Sequence, residues 1–262
     1  MHIFIINLIQ ANDRRQHIQN EFTKRHLDFE FFNAITPADN INIADTLQIN
    51  ISNANLADTE ISCLLSHISL WQYAVDNDLA YLAIFEDDIY LGEEAEYYLH
   101  NSAWLDSFTF DVLKLEAFLE KTHLTHQSHI SQSIRKNNIN RQIYRLRSNH
   151  MGAAGYILSL QGAKHALNYV RQMSASELVA VDHILFEKIL KKHLVYQLCP
   201  AICIQSMFYN KVSFHSQLAD SRQNFCYEKM NKDSLWCKIT SLLKRINRSI
   251  GKRTYYKIVD FK

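Results

Sequence analysis

Glycine and proline are scarce in this chain, with 5 Gly and 2 Pro among 262 residues. Together with 47% hydrophobic and 21% charged residues, that composition excludes a disordered or low-complexity chain and describes an ordinary soluble globular protein. Long apolar runs are missing, and none approaches the ~20 residues that a membrane-spanning helix needs. The first residues, Met1 to Leu8, lack the basic leader, extended apolar core and small-residue cleavage site of a signal peptide, so they are read as a buried first strand. Cys63, Cys199, Cys203, Cys226 and Cys237 are odd in number and scattered, with no Cys-x-x-Cys pair. Neither a disulfide framework nor a zinc site is indicated, and the pattern fits a reducing, cytoplasmic compartment. A Gly-x-x-x-x-Gly-Lys phosphate loop and a His-Glu-x-x-His zinc helix are also absent, which removes two common enzyme classes.

Charge is unevenly spread. Residues 232–262 hold nine Lys or Arg against two Asp, while the whole chain carries only +1, so the preceding 231 residues carry −6. A nucleic-acid-binding domain is not expected from that balance. In the basic segment, Trp236, Ile239, Leu242, Leu243, Ile246 and Ile250 recur at helical spacing between Lys238, Lys244, Arg245 and Arg248. Such an amphipathic helix suits an anionic membrane surface, and it equally suits packing on a domain with its charges in water.

What remains reads as an α/β domain over residues 1–231, followed by the basic helical tail at 232–262. Strands are expected at 2–8, 29–32, 81–85, 111–115, 142–146, 153–159 and 194–199. A helix starting at Asn12 or Asp13 places Ile18 and Phe22 on one face, and 37–55 is read as irregular. Leu64, Ile68, Trp71 and Val75 mark a long helix from Asp58, with further helices at 162–171 and 182–192. Strands alternating with helices imply a mainly parallel central sheet flanked by helices. Ligands then bind beyond the carboxyl ends of the strands.

Glu86-Asp87-Asp88 follow the apolar strand 81–85 directly. Adjacent carboxylates raise one another's pKa, and a divalent cation removes that penalty. Oxygen ligands of this kind suit Mn²⁺ or Mg²⁺ bridging protein carboxylates to substrate phosphates. The same letters also describe a solvated acidic turn.

Other segments share the pattern. Asn7-Leu8 precede Asp13-Arg14-Arg15, and Phe29-Glu30-Phe31-Phe32-Asn33-Ala34-Ile35 follow. Glu60-Ile61-Ser62-Cys63-Leu64-Leu65-Ser66-His67 with Trp71 come next, then Ala83-Ile84-Phe85 before the triplet. Ala153-Ala154-Gly155-Tyr156-Ile157-Leu158-Ser159 and Val181-Asp182-His183 complete the series. In this order the chain resembles glycosyltransferase family 25, the lipopolysaccharide biosynthesis glycosyltransferases, over roughly residues 1–205. Ser62 departs from a Gly often found there in the family.

The resemblance implies a GT-A fold and an inverting transfer of a hexose, galactose or else glucose, from a UDP-sugar. The implied acceptor is a sugar of lipooligosaccharide, and an enzyme acting on it would be cytoplasmic or peripheral at the inner face of the inner membrane. By the fold's acidic signature, Asp88 is the first metal ligand for Mn²⁺ or Mg²⁺. Glu86 shares the metal or contacts ribose, and Asp87 is the most nearly structural of the three. Arg14 and Arg15, near a helix start, are expected to reach the diphosphate, with Asn7 near the base or ribose. Each is also readable as a solvated arginine or a strand end. His67, just off the core stripe, is a donor-site candidate or a satisfied structural histidine. Asp182 is the expected general base, with His183 beside it, or else a helix N-cap. Gly155 and Tyr156 are expected to admit and stack a sugar, or to form a packing glycine beside a core tyrosine. A nucleotide-sugar hydrolase and a non-catalytic sugar-binding protein use the same letters.

Overall fold

A computed structural model describes residues 1–126, 134–136, 139–209 and 256–262. The first strand, β1 (His2–Asn7), leads to α1 (Asn12–Thr23), β2 (Glu30–Asn33), α2 (Asn40–Leu47), α3 (Asp58–Asp76) and β3 (Tyr81–Glu86). β4 (Ile89–Leu91), α4 (Ala95–Leu99), β5 (Val112–Lys114), β6 (Glu116–Ala117), β7 (Thr122–His126), β8 (Ile134–Lys136) and β9 (Ile139–Leu146) follow. The chain continues through β10 (Gly155–Ser159), α5 (Leu160–Arg171), α6 (Val181–His183), β11 (Val195–Cys199), β12 (Cys203–Gln205), α7 (Ser206–Tyr209) and β13 (Tyr256–Lys257).

The large sheet has the order β13-β7-β9-β11-β5-β10-β3-β1-β2, with β8 on β9. β1 runs parallel to β2 and β3, and β11 parallel to β5, whereas β10 lies antiparallel to both β3 and β5. β9 likewise opposes β11, β7 and β8, and β13 opposes β7. Most strands therefore point the same way as β1, and β9, β10 and β13 are the reversals. The sheet is mainly parallel in direction but mixed in its pairings. A second sheet, β4-β12-β6, grows from the segments that continue β3 and β5.

Burial on both sheet faces follows from the pleat. Phe4 and Ile6 join one core with Leu64, Ile68 and Trp71 of α3 and Ala163 and Leu167 of α5. Ile3 and Ile5 join another with Ile18 and Phe22 of α1. Alternate residues of one strand thus serve opposite layers, which is why β1 and β3 read as continuous apolar runs.

The stretch 37–55 is not wholly irregular. It holds α2, whose Ala44 and Leu47 are buried. Only those two apolar residues mark the buried face of a helix eight residues long, too few to show a period. The helix expected at 182–192 is an α-turn, a π-turn at Ile184–Lys188 and a 3₁₀ turn at Ile189–Lys191.

Most of the basic tail, including the repeat from Trp236 to Ile250, lies outside the described residues. Its last seven residues pack on the domain: β13 pairs with β7, Val259 is buried, and the Ala201 amide donates to the Asp260 carbonyl at 2.7 Å. Among the described residues, Cys199 and Cys203 are free thiols, and no helix is long and apolar enough to cross a membrane.

Candidate active site

The cleft opens where β1, β2 and β3 end. Its empty space is about 840 Å³, and its apolar wall includes Leu8, Ala11, Ala34, Ile35 and Pro37. Arg14, Ser62, Cys63, Ser66, His67, Glu86 and Asp87 complete much of the rest. Ser62 and Ser66 turn their hydroxyls inward, to the Asp58 and Ser62 carbonyls at 2.8 Å each.

Asp87 is fastened on both oxygens. Asn7 Nδ2 donates to its Oδ2 at 2.7 Å, and Arg14 Nη1 to its Oδ1 at 2.6 Å. This ties the end of β1 and the first turn of α1 to the turn after β3. Arg15 takes another direction, with its guanidinium over the Phe31 ring at 4.0 Å and Nε 3.4 Å from Asn7 Oδ1. Of the two arginines, only Arg14 lines the cleft.

Glu86 and Asp88 flank this anchor, and the amide of Gln205 lies between them. Its Nε2 is 3.4 Å from Glu86 Oε2 and 3.4 Å from Asp88 Oδ1. Register explains the placement: β12 sets Gln205 opposite Ile89 of β4. Burial pushes the Glu86 carboxyl up, as do Asp87 and Asp182, against the pull of Arg14 and Lys114. The Asp88 carboxyl is raised chiefly by burial and by Glu86. Two close carboxylates sharing one neutral donor form a hard-oxygen set that suits Mg²⁺ or Mn²⁺, so the residues fit the cation that the acidic signature implies.

His67 is fully buried, and burial lowers its pKa to about 3 although Asp182 opposes the shift. The ring is therefore neutral. Trp71 Nε1 donates to Tyr156 Oη at 2.9 Å, and Tyr156 Oη lies 2.8 Å from His67 Nδ1. The Tyr156 hydroxyl stays protonated, because burial raises its pKa well above the usual value. With the indole already donating to it, the hydroxyl donates onward to Nδ1, which leaves the His67 proton on Nε2. That nitrogen has no hydrogen-bond partner and points at Glu86 Oε1, 3.6 Å away.

Gly155 and Tyr156 lie behind this relay rather than in the cleft. A Cβ on Gly155 would meet Cys203 Sγ at 2.2 Å and Phe85 Cδ1 at 3.0 Å, and Tyr156 is fully buried. The geometry is that of a packing glycine and a core tyrosine.

Asp182 lies in the first turn of α6, with Ala180 as the capping residue. Its Oδ1 accepts the His183 amide at 2.8 Å and its Oδ2 faces the Gly152 amide at 3.4 Å. Its charge is felt by both Glu86 and His67, which puts it on the acidic side of the site. The His183 ring is instead paired with Glu187 Oε2 at 3.1 Å and is partly exposed.

A buried ion pair that sequence reasoning missed supports this side. Lys114 Nζ donates to Glu116 Oε2 at 3.0 Å, to the Met151 carbonyl at 2.8 Å and to the Gly152 carbonyl. Glu116 Oε2 also accepts the Ala154 amide at 3.0 Å. Both side chains are fully buried, and burial pushes the Glu116 carboxyl to about 7 against the pull of Lys114. Gly152 has φ +82°, and a Cβ there would lie 2.6 Å from the Glu116 carboxylate. The pair thus fixes the loop whose Gly152 amide faces Asp182. Lys-x-Glu across a strand end is the only signal in the sequence, and it looks like any exposed strand end. His150, buried beside the loop with a pKa lowered to about 3 chiefly by burial, accepts the Met151 amide at 2.9 Å.

Comparison with known proteins bears on this arrangement. The family model described as glycosyltransferase family 25 (LPS biosynthesis protein) matches residues 1–185. The chain is 32% identical to the lipooligosaccharide biosynthesis protein lic2B of Haemophilus influenzae, covering 95% of this chain and 96% of that one. It is 34% identical to the lipooligosaccharide biosynthesis protein lex-1 of Haemophilus influenzae, over 96% and 92% of the two chains. The lacto-N-neotetraose biosynthesis glycosyltransferase LgtE of Neisseria meningitidis is 33% identical, over 95% and 88%.

Proposed function

The chain belongs to glycosyltransferase family 25, and from that premise we propose that it moves a hexose, galactose or else glucose, from a UDP-sugar to a lipooligosaccharide acceptor sugar with inversion. The single observation that carries the reading is an apolar cleft beside a partly buried acidic cluster where three parallel strands end. Relatives named for lipooligosaccharide and lacto-N-neotetraose biosynthesis support the acceptor class.

In a GT-A-like arrangement, the wall formed by Leu8, Ala11, Ala34, Ile35 and Pro37 receives the nucleoside. Arg14, already oriented by Asp87, turns a guanidinium edge to the diphosphate. Glu86 and Asp88 would hold a Mn²⁺ or Mg²⁺ ion, which when bound neutralises charge on the diphosphate and the departing UDP. Asp182 takes the proton of the acceptor hydroxyl as its oxygen forms the new bond to the anomeric carbon. The bond from that carbon to the UDP oxygen breaks on the opposite face, UDP leaves with the electron pair, and configuration inverts. His67, neutral and oriented by Tyr156, presents its Nε2 proton on the side of Glu86. The basic segment 232–262 would keep the enzyme on the cytoplasmic membrane face, near a lipid-linked acceptor.

Release of UDP from a panel of UDP-sugars, with Mn²⁺ and with or without oligosaccharide acceptor, tests the reading. Release from one UDP-hexose that is strongly stimulated by acceptor is expected. Acceptor-independent release would mean a hydrolase, and no release from any donor would contradict catalysis here.

A further inference from the structure

Away from the cleft, at the opposite edge of the sheet, three residues from separate elements converge. Asp111 immediately precedes β5, His165 lies on α5, and His193 lies two residues before β11. Because β5 runs in the same direction as β3, the start of β5 is the edge opposite Glu86. The backbone forces the meeting. A Cβ on Gly162 would lie 2.0 Å from the Asp111 carbonyl oxygen, so only glycine lets the first turn of α5 press on Asp111. One turn later His165 Nδ1 reaches Asp111 Oδ1 at 2.7 Å. Parallel pairing aligns Val195 with Val112, which sets His193 beside the same carboxylate.

One ligand atom from each of the three side chains lies within 4.8 Å of the other two. His193 Nδ1 is 4.0 Å from Asp111 Oδ2, beyond hydrogen-bond reach, and the two imidazole centroids are 4.3 Å apart. Ligand atoms around a tetrahedral Zn²⁺, each about 2.0–2.1 Å from the metal, stand roughly 3.3–3.4 Å apart. The 2.7 Å from His165 Nδ1 to Asp111 Oδ1 and the 4.0 Å from His193 Nδ1 to Oδ2 straddle that value, so a metal would need the carboxylate and both rings to rotate about it.

The surroundings suit a ligand set. Asp111 is oriented by the Leu194 amide, which donates to Oδ2 at 2.6 Å. Gln161 Nε2 donates to His165 Nε2 at 2.8 Å, and with its amide turned over the Gln161 oxygen would accept the Nε2 proton of a metal-bound His165, while Arg145 holds the His193 backbone carbonyl. The imidazole side chains are 35% and 21% exposed, which leaves an entry path and a fourth position for water. Two imidazoles and one carboxylate form a borderline donor set, favouring Zn²⁺ over Mg²⁺ or Mn²⁺. We propose that Asp111, His165 and His193 form a Zn²⁺-binding site separate from the transferase cleft. It staples the start of β5 to α5 and to the turn entering β11.

The test is calorimetric titration of Zn²⁺ into the metal-free full chain, and into His165→Ala and His193→Ala. Each variant is first checked for parent-like far-UV circular dichroism and metal-free melting. The parent should bind one more Zn²⁺ than either variant, or bind it on the order of a hundredfold more tightly. Zn²⁺ should also raise the parent's melting temperature by more than that of His193→Ala. Mn²⁺-supported UDP release should be the same in parent and His193→Ala, because the site is not catalytic. Equal Zn²⁺ stoichiometry and affinity in the parent and both folded variants would overturn the proposal. Loss of folding in one variant leaves the other to decide, and Asp111→Asn supplies a third removal of a ligand.

Discussion

On the β1–β3 side of the cleft, polar groups are held by short bonds between neighbouring strand ends. Asn7 and Arg14 fasten Asp87, the parallel register setting Asn7 beside it and the first turn of α1 supplying Arg14. On the β5–β10 side, Asp182 faces a loop that owes its shape to a buried ion pair and a positive-φ glycine. The first side would bind the donor and the second would deprotonate the acceptor. The contrast teaches that the first side is held by an ion pair at the cleft rim, whereas the second depends on a fully buried one. Removing one member of such a pair is expensive, because it strands the other away from water.

Changes on the two sides should therefore differ in kind. The largest expected effect is on turnover. Asp182→Asn should lower kcat by about 10²–10⁴-fold while leaving donor binding near the parent value. It keeps an oxygen to accept the His183 amide, so urea unfolding should barely change. Loss of stability with kcat preserved would return Asp182 to a purely structural role.

Lys114→Met should cost about 3 kcal/mol in urea unfolding, tempered because Glu116, already pushed to about 7, protonates readily. Adding Glu116→Gln should recover part of that loss, because the stranded carboxyl is gone. Additive losses would contradict the pairing. Tyr156→Phe comes next, at about 1–2 kcal/mol, for it leaves Trp71 Nε1 and His67 Nδ1 without their shared hydroxyl. Its KM for donor and acceptor should stay close to the parent's, and a large rise in acceptor KM would restore a sugar-contacting tyrosine. Smallest is Arg15→Ala, expected at less than about 1 kcal/mol, since its guanidinium rests on the partly buried Phe31 ring.

The same contrast explains what the sequence could disclose. β1, β3 and α3 are long and two-sided or strongly periodic, so their apolar letters state their burial. The position of Glu86-Asp87-Asp88 at the end of a strand followed from that reading, with Glu86 itself the last residue of β3. Asp87, read from the sequence as the most nearly structural member, is doubly anchored by Asn7 and Arg14. Gln205 carried too weak a signal to be assigned a role, because its place between Glu86 and Asp88 depends on contacts across 119 and 117 residues, set by a short strand pairing. Lys114 and Glu116 were invisible for a related reason: two charged letters near a strand end look solvated until the fold buries them. The broken helix after Val181 was smoothed into a regular one, since Ile184, Leu185 and Ile189 keep helical spacing while the backbone changes pitch. The Asp111, His165 and His193 cluster is assembled from three segments and has no local spacing to read.

The central claim is that the acidic triplet is divided, with Asp87 holding the frame and Asp88, with Glu86, holding the cation. Parallel measurement of Mn²⁺-supported turnover and urea unfolding for Asp87→Asn and Asp88→Asn tests it most directly. Asp88→Asn is expected to lose on the order of a thousandfold in turnover with an unchanged unfolding midpoint. Asp87→Asn should lose about 1–3 kcal/mol of stability, since Asn7 and Arg14 lose their common partner. Near-normal turnover in a folded Asp88→Asn protein would contradict the account.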